Sequence, residues 1–153
     1  MASPTGMERP GPPQSWEVIA RARQWIASPR PYSQELNDPL SGYRMDCSGY
    51  VSMAWRLEPP GLTTVELPDV STRIAREELR AGDVLMIGGP GTDGDVGHVM
   101  LFERWYSAEM TRIWIFEQTG RSTLHRVIDY PAPPYLPYRW SAIAYDDQGF
   151  GPA

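Results

Sequence analysis

The pattern of apolar and polar residues divides the chain into a helical first half and a strand-rich second half. Apolar residues at helical spacing predict one helix over about 16–27, capped by Ser15, and a second from Cys47 to about Leu57. The apolar face predicted for the first helix consists of Trp16, Ile19, Ala20, Ala22 and Ile26. Residues 31–43 are rich in turn-forming residue types and predict a loop.

Beyond residue 80 the pattern changes to short apolar runs, which are typical of strands. The predicted strands span 84–87, 97–105, 112–118, 123–128 and about 138–145. We expect the second and third of these to form a hairpin, preceded by a glycine-rich polar loop over 88–95. Residues 71–79 predict only a turn or a short helix. Helices followed by an antiparallel meander predict an α+β domain.

The ends of the chain differ in composition from its middle. We predict a disordered arm over 1–14, a single domain over 15–147 and a flexible tail over 148–153. The arm lacks the apolar stretch of a signal peptide, and no segment approaches the ~20 apolar residues of a membrane-spanning helix. We therefore expect no membrane span, a cytoplasmic protein if the chain is complete, and an extracellular or cell-wall protein if a leader was removed.

Composition and charge narrow the possible functions. The chain has 153 residues, of which 41% are hydrophobic and 22% are charged, as in ordinary globular domains. A net charge of −5 without a basic run argues against a nucleic-acid partner. One cysteine and two widely spaced histidines allow no internal disulfide and no structural zinc site. We expect a monomer that has no metal and no cofactor.

Cys47, the only cysteine, lies where the second helix is predicted to begin. Asp46 is a favourable N-cap residue, which puts Cys47 in the first helical turn. The unpaired N–H groups there and the positive end of the helix dipole favour a thiolate over a thiol. A lone cysteine is more often an inert, buried apolar residue. The nucleophile hypothesis therefore depends on finding a base nearby.

His98 opens the first strand of the predicted hairpin and is a candidate base for the thiol. If the hairpin turn centres on residues 107–110, Glu117 lies diagonally across from His98 on the same face. A register shift of one residue would present Gln118 instead. We favour Glu117 because a carboxylate also stabilises an imidazolium. The other histidine, His125, is expected to be structural or peripheral.

Three segments resemble motifs of the NlpC-type peptidases, a papain-like family that cleaves cell-wall peptides and is related to the CHAP amidases. Residues 43–51 resemble its DCSG signature, 79–84 its L-x-x-G-D element and 97–102 its H-V-G-I-Y strand. Glu117 falls where the family has its third polar residue. The order and spacing match over about 15–145. The resemblance implies a papain-like α+β fold, in which N-terminal helices pack on a central antiparallel sheet.

The same resemblance implies a cysteine peptidase or amidase that hydrolyses an amide bond in a peptidoglycan stem peptide. Cys47, His98 and Glu117 would form its triad, the intermediate would be a thioester, and the partner would be a peptide or peptidoglycan fragment. The residues that the resemblance assigns to the oxyanion hole and substrate groove are Tyr32, Tyr43, Asp46 and Ser48. The glycine pair that usually follows the family's groove tyrosine is missing after Tyr32, so Tyr43 is an alternative for that position.

Two other functions stay open at this point. The missing leader and glycine pair favour a relative that uses the same nucleophile for acyl transfer or on a cytosolic amide. A third possibility is a non-catalytic module that binds wall peptides, because a family resemblance does not guarantee turnover. Added amine acceptors distinguish hydrolysis from transfer, and thiol reactivity distinguishes an enzyme from a binding module.

Overall fold

A computed structural model of the chain describes residues 12–145. Most of the predicted arm and the whole of the predicted tail lie outside the described residues. The two α-helices are α1 (Ser15–Ala27) and α2 (Cys47–Ala54), and two short 3-10 helices span Leu67–Val70 and Arg76–Glu78. The strands are β1 (Ser71–Arg73), β2 (Val84–Ile87), β3 (His98–Trp105), β4 (Arg112–Gln118), β5 (Thr123–Asp129) and β6 (Leu136–Trp140).

The six strands form one antiparallel sheet in the order β1-β6-β2-β3-β4-β5. The α+β class predicted from the sequence is therefore confirmed. The central strands β2, β3 and β4 were all expected, because their apolar runs are nearly continuous. None of the helices in residues 12–145 is long and apolar enough to cross a bilayer.

Alternate residues of β3 point to opposite faces of the sheet, and both faces are covered. Val99 and Leu101 join the core cluster that includes α1 and α2. Met100 and Phe102 join a second cluster on the other face. Because both faces are buried, β3 shows a continuous apolar run rather than a strict alternation.

The buried face of α1 differs from the predicted one. Val18, Ala22 and Trp25 are the buried positions, whereas Ala20 is exposed. Trp25 stacks on Tyr50 of α2 with ring centroids 5.4 Å apart, and the Tyr50 hydroxyl donates to the carbonyl of Ala22 at 2.7 Å. The prediction was right at Ala22, and Ile19 and Ile26 are partly buried against the core, but it missed Val18 and Trp25. It was incomplete because α1 has apolar residues around most of its circumference, and only the contact with α2 selects among them.

The start of α1 also lies one residue earlier than predicted. Ser15 is the first helical residue, and Gln14 is the N-cap. The backbone N–H of Gln14 donates to the Glu17 carboxylate at 2.8 Å, which is one half of a capping box. Gln14 also forms an isolated bridge with Ala144, so the beginning of the helix is joined to the segment after β6.

Helix α2 is shorter than predicted and ends at Ala54 rather than near Leu57. Arg56 adopts a left-handed backbone conformation with φ of 58°. The N–H of Leu57 then bonds to the carbonyl of Ser52 at 2.9 Å, and that of Arg56 bonds to Met53 at 3.1 Å. These two bonds form a Schellman motif, which satisfies the last carbonyl groups of the helix.

Two strands at one edge of the sheet depart from the prediction. Residues Ser71–Arg73 were expected to form a turn or helix, because the segment is short and polar. In the structure they form the edge strand β1, which pairs only with β6. β6 was expected over 138–145 but begins at Leu136, before a proline. Pro137 is tolerated there because its ring nitrogen needs no partner, while its carbonyl accepts from Ile74 at 3.2 Å.

Asp83 anchors β2 to β6 from within the segment that resembles the L-x-x-G-D element. Its carboxylate is fully buried and accepts hydrogen bonds from the guanidinium of Arg139 at 2.9 and 3.0 Å. It also accepts from the backbone N–H of Arg80 at 2.7 Å. Asp83 therefore stabilises the turn before β2 and joins that turn to β6.

Candidate active site

Cys47 is the first residue of α2, and its side chain is almost buried, with 7% of the residue exposed. Asp46 precedes it as the N-cap, and its Oδ1 accepts from the N–H of Gly49 at 2.8 Å. A side chain at position 49 would lie 1.9 Å from the carbonyl oxygen of Arg44, so only glycine fits there. Close approach of the loop thus fixes Cys47 at the positive end of the helix.

Arg44 holds the loop that leads into the cysteine. Its Nε donates to Oδ2 of Asp46 at 2.8 Å, and its Nη2 donates to the Ser48 hydroxyl at 2.9 Å. The same Nη2 donates to the carbonyl of Leu62 at 2.7 Å. Both oxygens of Asp46 are therefore occupied, one by the helix and one by the guanidinium. These bonds keep the residues on either side of Cys47 in a single arrangement.

His98 begins β3, and its Nε2 lies 2.8 Å from Oε1 of Glu117 on β4. The side chain of Glu117 is 3% exposed and that of His98 is 25% exposed. An ionised carboxylate can only accept, so Nε2 carries the proton of this bond. Nδ1 is then the ring nitrogen left for the thiol. The rings of Tyr135 and His98 are nearly perpendicular, with centroids 6.3 Å apart.

The register of the β3–β4 hairpin decides that Glu117, rather than Gln118, meets His98. Near the turn, Arg104 pairs with Trp114, and continuing this register would put Gln118 on the face of His98. A β-bulge between Phe102 and Arg104 inserts one residue and shifts the pairing. The register beyond the bulge is the one predicted from the sequence, although the turn itself lies half a residue from its predicted centre.

Gln118 has a different set of partners. It is fully buried, and its amide donates to the backbone carbonyls of Arg30 and Met45 at 3.0 and 3.1 Å. Thr123 donates to its side-chain oxygen at 2.5 Å. Gln118 therefore ties β4 to the loop that precedes Cys47, and it makes no bond to His98.

Contacts with Cys47 and Glu117 hold the proton on His98. Burial by itself lowers the pKa of His98, but hydrogen bonds to the Cys47 sulfur and the Glu117 carboxylate, together with their charges, outweigh it and raise the pKa to about 9. Burial by itself raises the pKa of Glu117. Hydrogen bonds and charges from His98 and Arg126 outweigh burial and lower the pKa of that carboxyl. The arrangement favours an imidazolium between a sulfur and a carboxylate at neutral pH.

We predict that the His98 ring titrates with a midpoint of about 9. Because this pKa is raised, the ring is charged at neutral pH and loses its proton only as the pH rises through that value. NMR of the ring C–H protons measures the midpoint, and a Cys47→Ala variant should lower it by removing the sulfur contact. A wild-type midpoint near the ordinary value of about 6.5 would contradict the contact described here.

Two adjoining cavities form a cleft at this site. One, of about 290 Å³, is lined by residues that include Arg44, Asp46, Cys47 and Ser48. The other, of about 260 Å³, is lined by residues that include His98 and Gln118. Tyr32 lines both cavities and therefore lies between the cysteine side and the histidine side of the cleft.

Tyr32 lies at the cleft, whereas Tyr43 does not line it. Tyr43 is 5% exposed within the core, and its hydroxyl donates to the carbonyl of Leu57. The structure thus places Tyr43 away from the cleft, with its hydroxyl directed into the loop after α2. Gln34 donates to the Tyr32 hydroxyl at 3.1 Å and to Asp95 at 3.0 Å, which joins the loop over 31–43 to the glycine-rich loop.

His125 lies apart from the cleft. Its Nε2 is 2.6 Å from Oε1 of Glu103, and its ring stacks on Phe116 with centroids 4.2 Å apart. The second Glu103 oxygen accepts from Arg23 of α1 at 2.8 Å. The chain thus contains two His–Glu pairs on one sheet, and only that of His98 adjoins the cysteine.

Arg126 is the residue at the site that sequence reasoning missed. It lies on β5, and its guanidinium donates to Oε2 of Glu117. The signal was present: in the β4–β5 register, Glu117 pairs with Leu124, so Arg126 is diagonal to Glu117 just as Glu117 is diagonal to His98. Within residues 12–145, no group of three or more His, Cys, Asp or Glu side chains is arranged to hold a metal ion.

Comparison with known proteins supports the fold. A crystal structure described as similar to lipoprotein, NLP/P60 family, from Staphylococcus aureus subsp. aureus Mu50, matches 92% of this chain with a TM-score of 0.54 and 17% sequence identity. The match covers 44% of that protein's chain, so this chain spans less than half its length. No family model and no curated protein matches the sequence. The likeness shows that the chain has an NLP/P60-like α+β fold.

Proposed function

We propose that the described residues form one papain-like catalytic domain, a cysteine peptidase or amidase that hydrolyses an amide bond in a peptidoglycan stem peptide. The observation that carries the proposal is the His98 ring, which contacts the Cys47 sulfur on one side and the Glu117 carboxylate, at 2.8 Å, on the other. A nucleophile, a base and a group that orients the base are the three parts that nucleophilic catalysis requires. The NLP/P60-like fold supports the choice of substrate class.

The reaction would begin with the thiolate of Cys47. Its sulfur attacks the carbonyl carbon of the amide, and the carbonyl π electrons move to the oxygen. The first N–H groups of a helix have no intrahelical acceptor, so the N–H of Cys47 can donate to this oxyanion. As the C–N bond breaks, the His98 imidazolium gives its proton to the departing amine. The products of this step are a free amine and a thioester on Cys47.

Water completes the cycle. His98, now neutral, takes a proton from a water molecule, whose oxygen attacks the thioester carbonyl. The C–S bond breaks, the carboxylic acid leaves, and the thiolate–imidazolium pair is restored. Glu117 remains ionised throughout, because its bonds to His98 and Arg126 stabilise the carboxylate in a buried position. The peptide would lie in the cleft across Tyr32, Asp46 and Ser48.

We expect the protein to cleave synthetic stem peptides and to release one free carboxyl group for each new amine. Mass spectrometry of the products, with and without hydroxylamine as an acceptor, measures this ratio. Protein pretreated with iodoacetamide is the matched control, because Cys47 is the only thiol in the chain. Transfer products alone would indicate an acyltransferase. Tight binding without cleavage, together with an unreactive thiol, would indicate a binding module.

A further inference from the structure

The two oxygens of the Glu117 carboxylate have different partners on different strands. Oε1 lies 2.8 Å from Nε2 of His98 on β3. Oε2 accepts from Nε and Nη2 of Arg126 on β5, at 2.8 and 2.5 Å. The Glu117 side chain is 3% exposed, whereas the Arg126 side chain is 53% exposed and reaches in from the surface. A buried carboxylate is thus held between two cationic groups.

We propose that Arg126 is a positioning residue, which holds the Glu117 carboxylate so that Oε1 stays on Nε2 of His98. This inference rests on the function proposed for Cys47, His98 and Glu117. Arg126 lines neither cavity of the cleft and therefore acts through Glu117 rather than on the substrate.

The geometry of the guanidinium explains how Arg126 would fix the carboxylate. Two N–H groups of one planar guanidinium converge on Oε2, so the carboxylate cannot rotate about its last bond without losing both hydrogen bonds. If it rotated, His98 would lose its acceptor, and Nδ1 would no longer be held towards the sulfur. Misplacing a group that acts at the reacting atoms lowers the rate, so losing this arrangement should slow catalysis.

Charge acts in the same direction. Burial disfavours the ionised form of Glu117, and the cations that face it are His98 from β3 and Arg126 from β5. Burial raises the pKa of Tyr135, in the loop before β6, and its electrostatic interactions with Glu117 and Cys47 raise that pKa further. Without Arg126, His98 would be the one cation among these groups that faces the Glu117 carboxylate. The carboxylate would then take up a proton at a higher pH, and its charge-assisted hydrogen bond to the His98 imidazolium would be lost.

The pH dependence of Cys47 alkylation by iodoacetamide tests this proposal without any substrate. We expect Arg126→Ala to move the acid limb of the rate profile upward by about one pH unit, because Glu117 loses a cation and two donors. Arg126→Lys should restore most of the shift, since it keeps the charge. Arg104→Ala is the matched control: Arg104 is an exposed strand arginine that lies over Trp114, at 5.1 Å from the ring centroid.

A second readout follows the positioning itself. The Nε2–H proton of His98 should give a downfield NMR signal that is protected from exchange in wild type and in Arg104→Ala. It should broaden in Arg126→Ala and be recovered in part in Arg126→Lys. With a cleavable peptide, kcat should fall about tenfold in Arg126→Ala while KM stays unchanged, because the change acts through the base.

The outcomes separate this proposal from the one on which it rests. If both Arg126 variants match Arg104→Ala in the acid limb and in the Nε2–H signal, Arg126 has no positioning role, and the proposed function stands. If Arg126→Ala does not fold, the Nε2–H signal of Arg126→Lys alone decides. A signal in that variant identical to the wild-type signal would contradict the proposal. If Cys47 is unreactive in wild type at every pH, the proposed function fails and this proposal fails with it.

Discussion

Replacing Cys47 with alanine is expected to abolish amide cleavage, with a loss of at least about 10⁴-fold in kcat. The reason is that no other thiol exists in the chain to form the thioester. The fold should survive, because the substitution removes one sulfur atom from a small side chain and leaves the Asp46 cap and the Arg44 bonds in place. Thermal unfolding and peptide cleavage, measured on the same preparation, check both expectations.

Cys47→Ser is the companion variant. A serine hydroxyl is nearly the same size as the thiol but is a much weaker nucleophile beside an imidazole, so it should lose activity with little change in packing. Residual cleavage at the wild-type rate in either variant would exclude Cys47 as the nucleophile. If Cys47→Ala and Cys47→Ser both lose activity and also unfold, disruption of the Arg44–Asp46 loop, rather than loss of the sulfur, would explain the lost activity.

Replacing His98 with alanine should reduce amide cleavage by at least about 10³-fold, since the variant loses both the base and the acid of the proposed reaction. It should also reduce the alkylation rate of Cys47 at pH 6. At that pH an ordinary thiol, with a pKa of about 8.5, is only about 0.3% ionised, whereas an adjacent imidazolium favours the thiolate. Iodoacetamide kinetics between pH 5 and 9 measure this difference.

His125→Ala is the matched control for this variant. His125 also bonds to a glutamate, at 2.6 Å, but its partners Glu103 and Phe116 lie away from the cleft. It should therefore lose some stability and keep the wild-type alkylation profile. Equal effects of the two histidine substitutions would show that the reactivity depends on general stability of the sheet and not on an imidazole beside Cys47.

Much of the site was already predictable because its residues are close in sequence to strong local signals. Asp46 caps a helix by a bond to a residue three positions along, and this bond depends on nothing distant. His98 and Glu117 belong to one hairpin, whose short connection restricts the possible pairings to two registers. The proposed roles of these residues remain predictions until the variants are measured.

The choice between those two registers was not local. The β-bulge between Phe102 and Arg104 brings Glu117 to the same face of the sheet as His98, and continuing the turn-side register would have brought Gln118 there. Gln118, for its part, bonds to the carbonyls of Arg30 and Met45, which are distant in the sequence. Contacts with these other segments, together with the bulge, select one register of two.

The sequence by itself determined the α+β class, the central strands and the helix that begins at Cys47, because hydrophobic periodicity and capping act over a few residues. Only the tertiary structure decided which face of α1 is buried, that Ser71–Arg73 forms an edge strand, and that Tyr32 rather than Tyr43 lines the cleft. These features depend on packing between segments far apart in the chain, and local residue patterns carry no information about which partner is chosen.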